Sequence, residues 1–428
     1  MKNCFSRTIW KANVIYLTIN GKQEKIRGVY PVFKGRHSCW STCSGRKAVL
    51  FKYHSSYLTK GFNISPKKIH FDESIQTTSF SPFQGLFGVF ADSLPDAWGN
   101  LLLRRWLSSK QLLPSQLNSL DRLSLVGENG PGALIYKPCE EGQRSNDFVD
   151  LDSLNHQVEE IISGESEEII DELFQKGGSP GGARPKIYAG FNSDTHELIY
   201  GSNELPDGFS HWMVKFAATV DSPDITHSEM AYYKMAIAAG IQMSESKLLA
   251  GKSGKKYFAT KRFDRHQNNR LHLISAAGMF HDDYEHSQLD YGTLIHETNW
   301  LINDYRAIEQ QFRRAVFNVF AHNRDDHSKN FAFLMDEKGH WSLAPAFDLT
   351  FSSSSQGMHS TTCAGNGVNP GTKELMSLAE HFSIRNGEKI IEEVKCVIKN
   401  WEYFAHESTV TSTTTKSISK QLKEIINR

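Results

Sequence analysis

Residues 317–333 read FNVFAHNRDDHSKNFAF: a helical apolar stretch, a compact polar loop, then an apolar strand. No other segment limits the fold as sharply, because a dense run of charged side chains must be accommodated between two elements that have to be buried. Asp325 and Asn330 are five residues apart, the aspartate-to-asparagine spacing of a kinase catalytic loop. In that chemistry the aspartate accepts or orients the substrate hydroxyl, the asparagine oxygen ligates magnesium, and Lys329 neutralises charge on the γ-phosphate. A rival reading makes His322, His327, Asp325 and Asp326 a metal site. A hard cation bridging phosphates needs oxygen ligands, however, and only the kinase reading gives Asn330 a function.

Three further segments complete the set. Residues 177–186 (GGSPGGARPK) supply glycines that let backbone N–H groups close on phosphate oxygens, with charge from Arg184 and Lys186. The Walker ending Gly-Lys-Ser/Thr is absent. Next, HWMVKF reads as a strand carrying Lys215, and Glu229 follows in the helical stretch EMAYYKMAIAAG, as in a lysine that holds α- and β-phosphates and is itself held by a helix glutamate. Finally, WSLAPAFDLTF places Asp348 in an apolar run, where an unpaired carboxylate is costly to bury; magnesium between Asp348, Asn330 and the ATP phosphates removes that cost. Each part is common alone. Their order is that of a protein-kinase fold.

The rest of the chain is an ordinary globular sequence. Its 428 residues predict two or three domains. The 48 basic and 48 acidic residues cancel, so any DNA contact must come from a local patch. No apolar run reaches the roughly 18 residues of a membrane span, no signal peptide is visible, and six cysteines form no disulfide framework. A soluble cytoplasmic protein is expected. Residues 12–19 and Asn20-Gly21 predict a strand and hairpin turn, with more strands at 28–33 and 47–53. Residues 83–107 turn helical, and Asp92 and Ser93 before Leu94-Pro95 mark a new helix start. Trp98, Trp106, Phe83, Phe87 and Phe90 are assigned to helix core. His37, Cys39 and Cys43 are read as ordinary thiols and a lone histidine, since no second cluster completes a zinc site. The Ser/Thr-rich residues 408–419 look like low-complexity chain, although Ile418, Leu422, Ile425 and Ile426 also fit a final amphipathic helix. Asp326 is read either as a third metal contact or as a solvated neighbour.

The motifs FQGLFGVFADSLPDAWGNLLL, LSLVGENGPGALIY, GGSPGGARPK, KRFDR, DDHSKN and APAFDL, in that order, resemble the HipA family, bacterial serine/threonine kinases that act as toxins of toxin–antitoxin pairs. The resemblance implies an α+β protein: an N-terminal β-rich and helical domain (1–140), then a bilobal kinase-like domain with an N-lobe (141–260) and a mainly helical C-lobe (261–428). It implies Asp325 as catalytic base, Asn330 and Asp348 as magnesium ligands, and Lys215, supported by Glu229, as the ATP lysine. Pro180, Gly181, Gly182, Ala183, Arg184, Pro185 and Lys186 would form the phosphate loop. Lys261, Arg262 and Phe263 would be the adenine hinge, with His327, Ser328, Lys329, Asn330, Phe347 and Asp348 completing the nucleotide site. Ser179 matches an autophosphorylated, self-inactivating serine. The expected partners are a small helix-turn-helix antitoxin of the HipB type, operator DNA through that antitoxin, and a protein substrate such as an aminoacyl-tRNA synthetase, with ATP and Mg2+ as cofactors and no membrane. Two other readings stay open: a kinase of a small-molecule hydroxyl, and a catalytically silent co-repressor.

Overall fold

The strand Phe209–Lys215 forms the spine of the first large unit, because alternate residues Trp212 and Val214 are fully buried on one side. A computed structural model describes residues 14–19, 22–25, 30–32, 48–137, 147–164, 170, 173, 181–200, 204–218, 221–353 and 357–428. In it, Phe209–Lys215 lies third in a six-stranded antiparallel sheet ordered Ser246–Ala250, Lys256–Lys261, Phe209–Lys215, Lys186–Asn192, Leu198–Tyr200 and Asp147–Phe148. The register sets Lys186 directly opposite Lys215. Two ammonium groups facing each other on neighbouring strands repel, so this register requires an anion close by.

The second large unit is mainly helical. Helix Tyr305–Phe320 is capped by Asp304, whose carboxylate accepts from the Arg306 amide at 2.9 Å. It buries Phe312, Ala315, Val316, Phe317, Val319 and Phe320 among helices Tyr291–Ile302, Thr372–His381, Gly387–Lys399 and Ser412–Ile426. It ends where the polar loop begins. The Ser/Thr-rich tail resolves as the amphipathic alternative: Thr411 caps helix Ser412–Ile426, and Ile418, Leu422, Ile425 and Ile426 are buried. Its hydroxyls are used too, since the Thr414 hydroxyl donates to Asp224 at 2.6 Å.

The N-terminal part is a three-stranded antiparallel sheet of Lys22–Lys25, Val14–Ile19 and Leu134–Lys137. An antiparallel strand pair of Tyr30–Val32 with Ala48–Leu50 and several helices complete it. The helical region over 83–107 divides into Gly88–Ala91 and Ala97–Ser109; the new helix expected to start at Asp92 and Ser93 begins a turn later, with Asp96 at its N-cap just after Pro95. Helix Ala97–Ser109 buries Trp98, Leu102, Leu103, Trp106 and Leu107 against Ile187, Trp212, Val214 and Tyr257 of the six-stranded sheet. Leu86, Phe87, Val89 and Phe90 pack instead into the core of the helical unit. Gly88 and Gly278 cross so closely that a Cβ on Gly88 would lie 2.3 Å from the Gly278 carbonyl oxygen. The hydrophobic cores therefore run across the boundaries at 140 and 260. His37, Cys39 and Cys43 lie outside the described residues. Among the described residues no helix is long and apolar enough to cross a membrane.

Candidate active site

The anion required by the two facing lysines is Asp348. Its backbone takes a positive φ of 53° at the end of an apolar run, which turns the carboxylate into direct contact with the Lys215 ammonium. Glu229, from helix Ile225–Ala238, meets the same ammonium at 3.2 Å. Burial opposes the charge on Lys215, but Asp348 and Glu229 outweigh it and raise its pKa above the ordinary ammonium range. Burial likewise opposes the Asp348 carboxylate, and Lys215 and Lys186 overcome it, holding the pKa well below the usual value. For Lys186, burial is the largest influence and lowers the pKa, with Asp348 opposing and Lys215 adding to the effect. The lysine, the helix glutamate and Asp348, which lies beyond strand Trp341–Leu343 rather than in a strand, thus converge on one cluster.

The glycine segment closes this cluster from one side. Gly182 has φ of 104°, and a Cβ there would fall 2.4 Å from the Lys186 Nζ, so only glycine admits the loop in this position. Arg184 donates through Nε to both Asp221 oxygens at 3.1 Å and reaches Glu229 at 3.5 Å. Gly181 and Ala183 are exposed, whereas Pro185 is buried with its carbonyl accepting from Phe216 N–H at 2.9 Å. Ser179 and Pro180 lie outside the described residues.

The polar loop 321–330 closes the other side. Asn330 donates its amide hydrogen to the Asp325 carbonyl at 2.7 Å. Asp325 keeps an open face to solvent, but its pKa is raised by lost hydration within the cleft, with His327 opposing and Asp348 reinforcing the shift. His327 Nε2 stands 3.9 Å from Asp325. Lys329 contacts the Asp96 carboxylate and lies 4.3 Å from the centre of the Tyr284 ring.

The rival metal site is not assembled. Among the described residues no group of three or more His, Cys, Asp or Glu could hold a metal ion. His322 instead has Nδ1 at 3.1 Å from the Ser352 carbonyl. Asp326 is neither a metal contact nor a solvated neighbour, because its side chain is fully buried. It accepts from the Tyr291 hydroxyl at 2.6 Å, the Ser360 amide at 2.8 Å and the Thr361 amide at 3.3 Å, with His359 Nδ1 at 2.9 Å. A carboxylate this well bonded can stay buried and fixes the loop beside Asp325. Magnesium nevertheless fits the cluster, since it needs only one or two protein oxygens alongside phosphate oxygens; Asp348 supplies a carboxylate, and the Asn330 amide points its N–H side at Asp325.

Several predicted side chains face elsewhere. Lys261 is half exposed beside Glu245. Arg262 is buried, stacked 3.7 Å from the Tyr188 ring centre and bonded to Asp264 at 2.9 and 2.7 Å. Asp264 and Arg265 in turn bind the backbone of Gly130 and Gly132, so the KRFDR segment is fastened to the NGPG turn. Ser328 is buried and its hydroxyl is bonded to Asp282. Phe263 and Phe347 lie 5.5 Å apart and form an apolar patch with Ala332, Leu334 and Ala344. Sequence reasoning missed Asp96, Asp221 and Tyr284. Asp96 had a signal, the Leu94-Pro95-Asp96 turn, which reads only as a helix start until its partners are seen.

Residues 178–401 match the HipA-like C-terminal domain, and residues 34–137 match the HipA N-terminal domain. The chain belongs to the HipA family. Among solved structures it is similar to a chain of the Shewanella oneidensis MR-1 toxin–antitoxin complex of HipA, HipB and its operator DNA. The TM-score is 0.67 at 13% identity, covering 96% of this chain and 95% of that one, a likeness of fold. The Helicobacter pylori proinflammatory kinase CtkA aligns with 50% of this chain and 92% of its own at 15% identity, with a TM-score of only 0.33. No curated protein sequence gives a significant match. The HipA membership agrees with the α+β architecture of sheet and helical units expected from the sequence.

Proposed function

We propose that this HipA-family protein is a magnesium-dependent kinase that transfers the γ-phosphate of ATP to a serine or threonine of a protein. The observation that carries the reading is the bridge from Lys215 to both Glu229 and Asp348, opposite a loop in which Asn330 is tied to Asp325. Lys215 and Lys186 would meet the phosphates, and Asp348 and Asn330 would hold magnesium, which supplies charge neutralisation on the transferring phosphoryl group. Asp325 would orient and deprotonate the acceptor hydroxyl; its raised pKa makes it a better proton acceptor than an ordinary carboxylate. The Phe263–Phe347 patch would receive the adenine face. Because the Lys261 and Arg262 amides already donate to Glu245 and His211 carbonyls at 2.8 and 2.9 Å, the adenine edge would pair with other hinge groups.

The toxin role, a helix-turn-helix antitoxin partner of the HipB type with operator DNA, and self-inactivation by phosphate on Ser179 belong to the same reading. They are supported by family membership and by the fold shared with the Shewanella complex. An aminoacyl-tRNA synthetase is the proposed substrate. The test is phosphoproteomics after brief induction, comparing the intact chain with D325N. New phosphoserine or phosphothreonine sites that need Asp325 support the reading, and identical phosphoproteomes refute it.

A further inference from the structure

Asp96 stands at the N-cap of helix Ala97–Ser109, where a carboxylate ordinarily accepts from an amide in the first turn of its own helix. Here the side chain makes no capping bond. One oxygen accepts from the Gly182 amide at 2.9 Å, and the other contacts the Lys329 ammonium. Both side chains of the ion pair are largely shielded, at 12% exposure for Asp96 and 14% for Lys329. The same helix start reaches the glycine loop twice more. Trp98 N–H donates to the Gly182 carbonyl at 3.3 Å, and the Trp98 indole N–H donates to the Lys186 carbonyl at 3.1 Å. Gly182 is therefore gripped at its amide and its carbonyl by one turn of the N-terminal segment.

We propose that Asp96 is a positioning residue for phosphoryl transfer: it docks the glycine loop through Gly182 and aims the Lys329 ammonium into the cleft. The effect on turnover rests on the kinase reading above; the docking of the loop does not. A lysine ammonium is a point charge on a flexible stem, and the Asp96 carboxylate with the Tyr284 ring restricts where that charge can sit. Because Asp96 comes from outside the two units that carry the lysine, the aspartates and the asparagine, the N-terminal segment becomes a working part of the site.

Three full-length variants separate the two contacts. D96N keeps an oxygen for the Gly182 amide but lacks the charge that holds Lys329, D96A lacks both, and D96E restores the charge. Amide hydrogen exchange over residues 181–186 is measured without nucleotide, and kcat and KM for magnesium-dependent ATP turnover are measured alongside. In D96A exchange is expected to rise about tenfold, with kcat falling at least tenfold and KM for ATP rising. In D96N exchange stays within about threefold of wild type while kcat still falls about tenfold at nearly unchanged KM, and D96E recovers part of kcat. Wild-type exchange in D96A, or wild-type kcat in D96N, overturns the proposal. If D96A does not fold, D96N and D96E carry the turnover test. If the wild type turns over no ATP, the kinase reading fails and the exchange comparison still decides whether Asp96 docks the loop.

Discussion

Lys215 and Asp325 differ most in exposure, the lysine being buried and the aspartate side chain 61% exposed. Lys215 is buried between two carboxylates, so K215A leaves Asp348 and Glu229 without their shared counter-ion. Breaking a buried pair in this way costs about 3–5 kcal/mol, with the partial exposure of Asp348 favouring the lower end. Denaturant titration should show that loss together with loss of nucleotide binding. Asp325 keeps an open face, and D325N should leave the melting temperature within a few degrees of wild type while lowering phosphoryl transfer by roughly 10²–10⁴-fold, the usual range for a proton acceptor. The raised pKa of Asp325 has a definite sign. Protonation removes the base, so the acidic limb of kcat/KM should lie above the roughly 3.9 of an ordinary aspartate; a limb at or below that value would contradict the role. Of these groups, residue type and spacing made Lys215, Glu229, Asp325, Asn330 and Asp348 legible. Asp326 was misjudged because sequence shows a charge but not the four groups of Tyr291, His359, Ser360 and Thr361 that satisfy it.

At the scale of elements, buried carboxylates fasten loops and helices that hold the site. D326N removes the charge on which Tyr291, His359 and two amides converge, and should destabilise the protein by about 2–4 kcal/mol while loosening the 321–330 loop, measurable as faster amide exchange there. Asp92 fastens the short helix Gly88–Ala91 to the strand His272–Ser275 by accepting from the Ser275 amide and hydroxyl, each at 2.6 Å. Burial raises its pKa to about 6, against the opposing charge of Lys329. The native state therefore binds this proton more tightly than the unfolded chain, and the stability it contributes is present at low pH and lost as pH rises toward 6. Relative to D92N, the wild type should lose roughly 2–3 kcal/mol between pH 4 and 6.5; a pH-independent difference between the two would place the carboxyl at an ordinary pKa. The elements themselves were readable where pattern was strong, as in the helical apolar stretch from Phe317 that forms the end of Tyr305–Phe320. The choice between low-complexity chain and helix for the tail needed neighbours, because Asp224 and the core of the helical unit decide what the Ser/Thr-rich chain does.

For the whole molecule, the close crossing of Gly88 and Gly278 ties the N-terminal segment to the helical unit. G88A would drive a methyl into the Gly278 backbone, so it should cost at least about 2 kcal/mol by overpacking and also lower turnover, since the segment bearing Asp96 is displaced; unchanged melting would show that the crossing relaxes freely. Local pattern already marked the glycine-rich segment, the strand lysine and the Asp-x4-Asn loop, because hydrophobic period and residue spacing are local properties, and the order of the motifs carried the resemblance to HipA proteins. Which charges meet follows from the fold. Asp348 reaches Lys215 across 133 residues and Asp96 reaches Lys329 across 233, contacts set by strand register and by cores that span the whole chain, which no local pattern encodes.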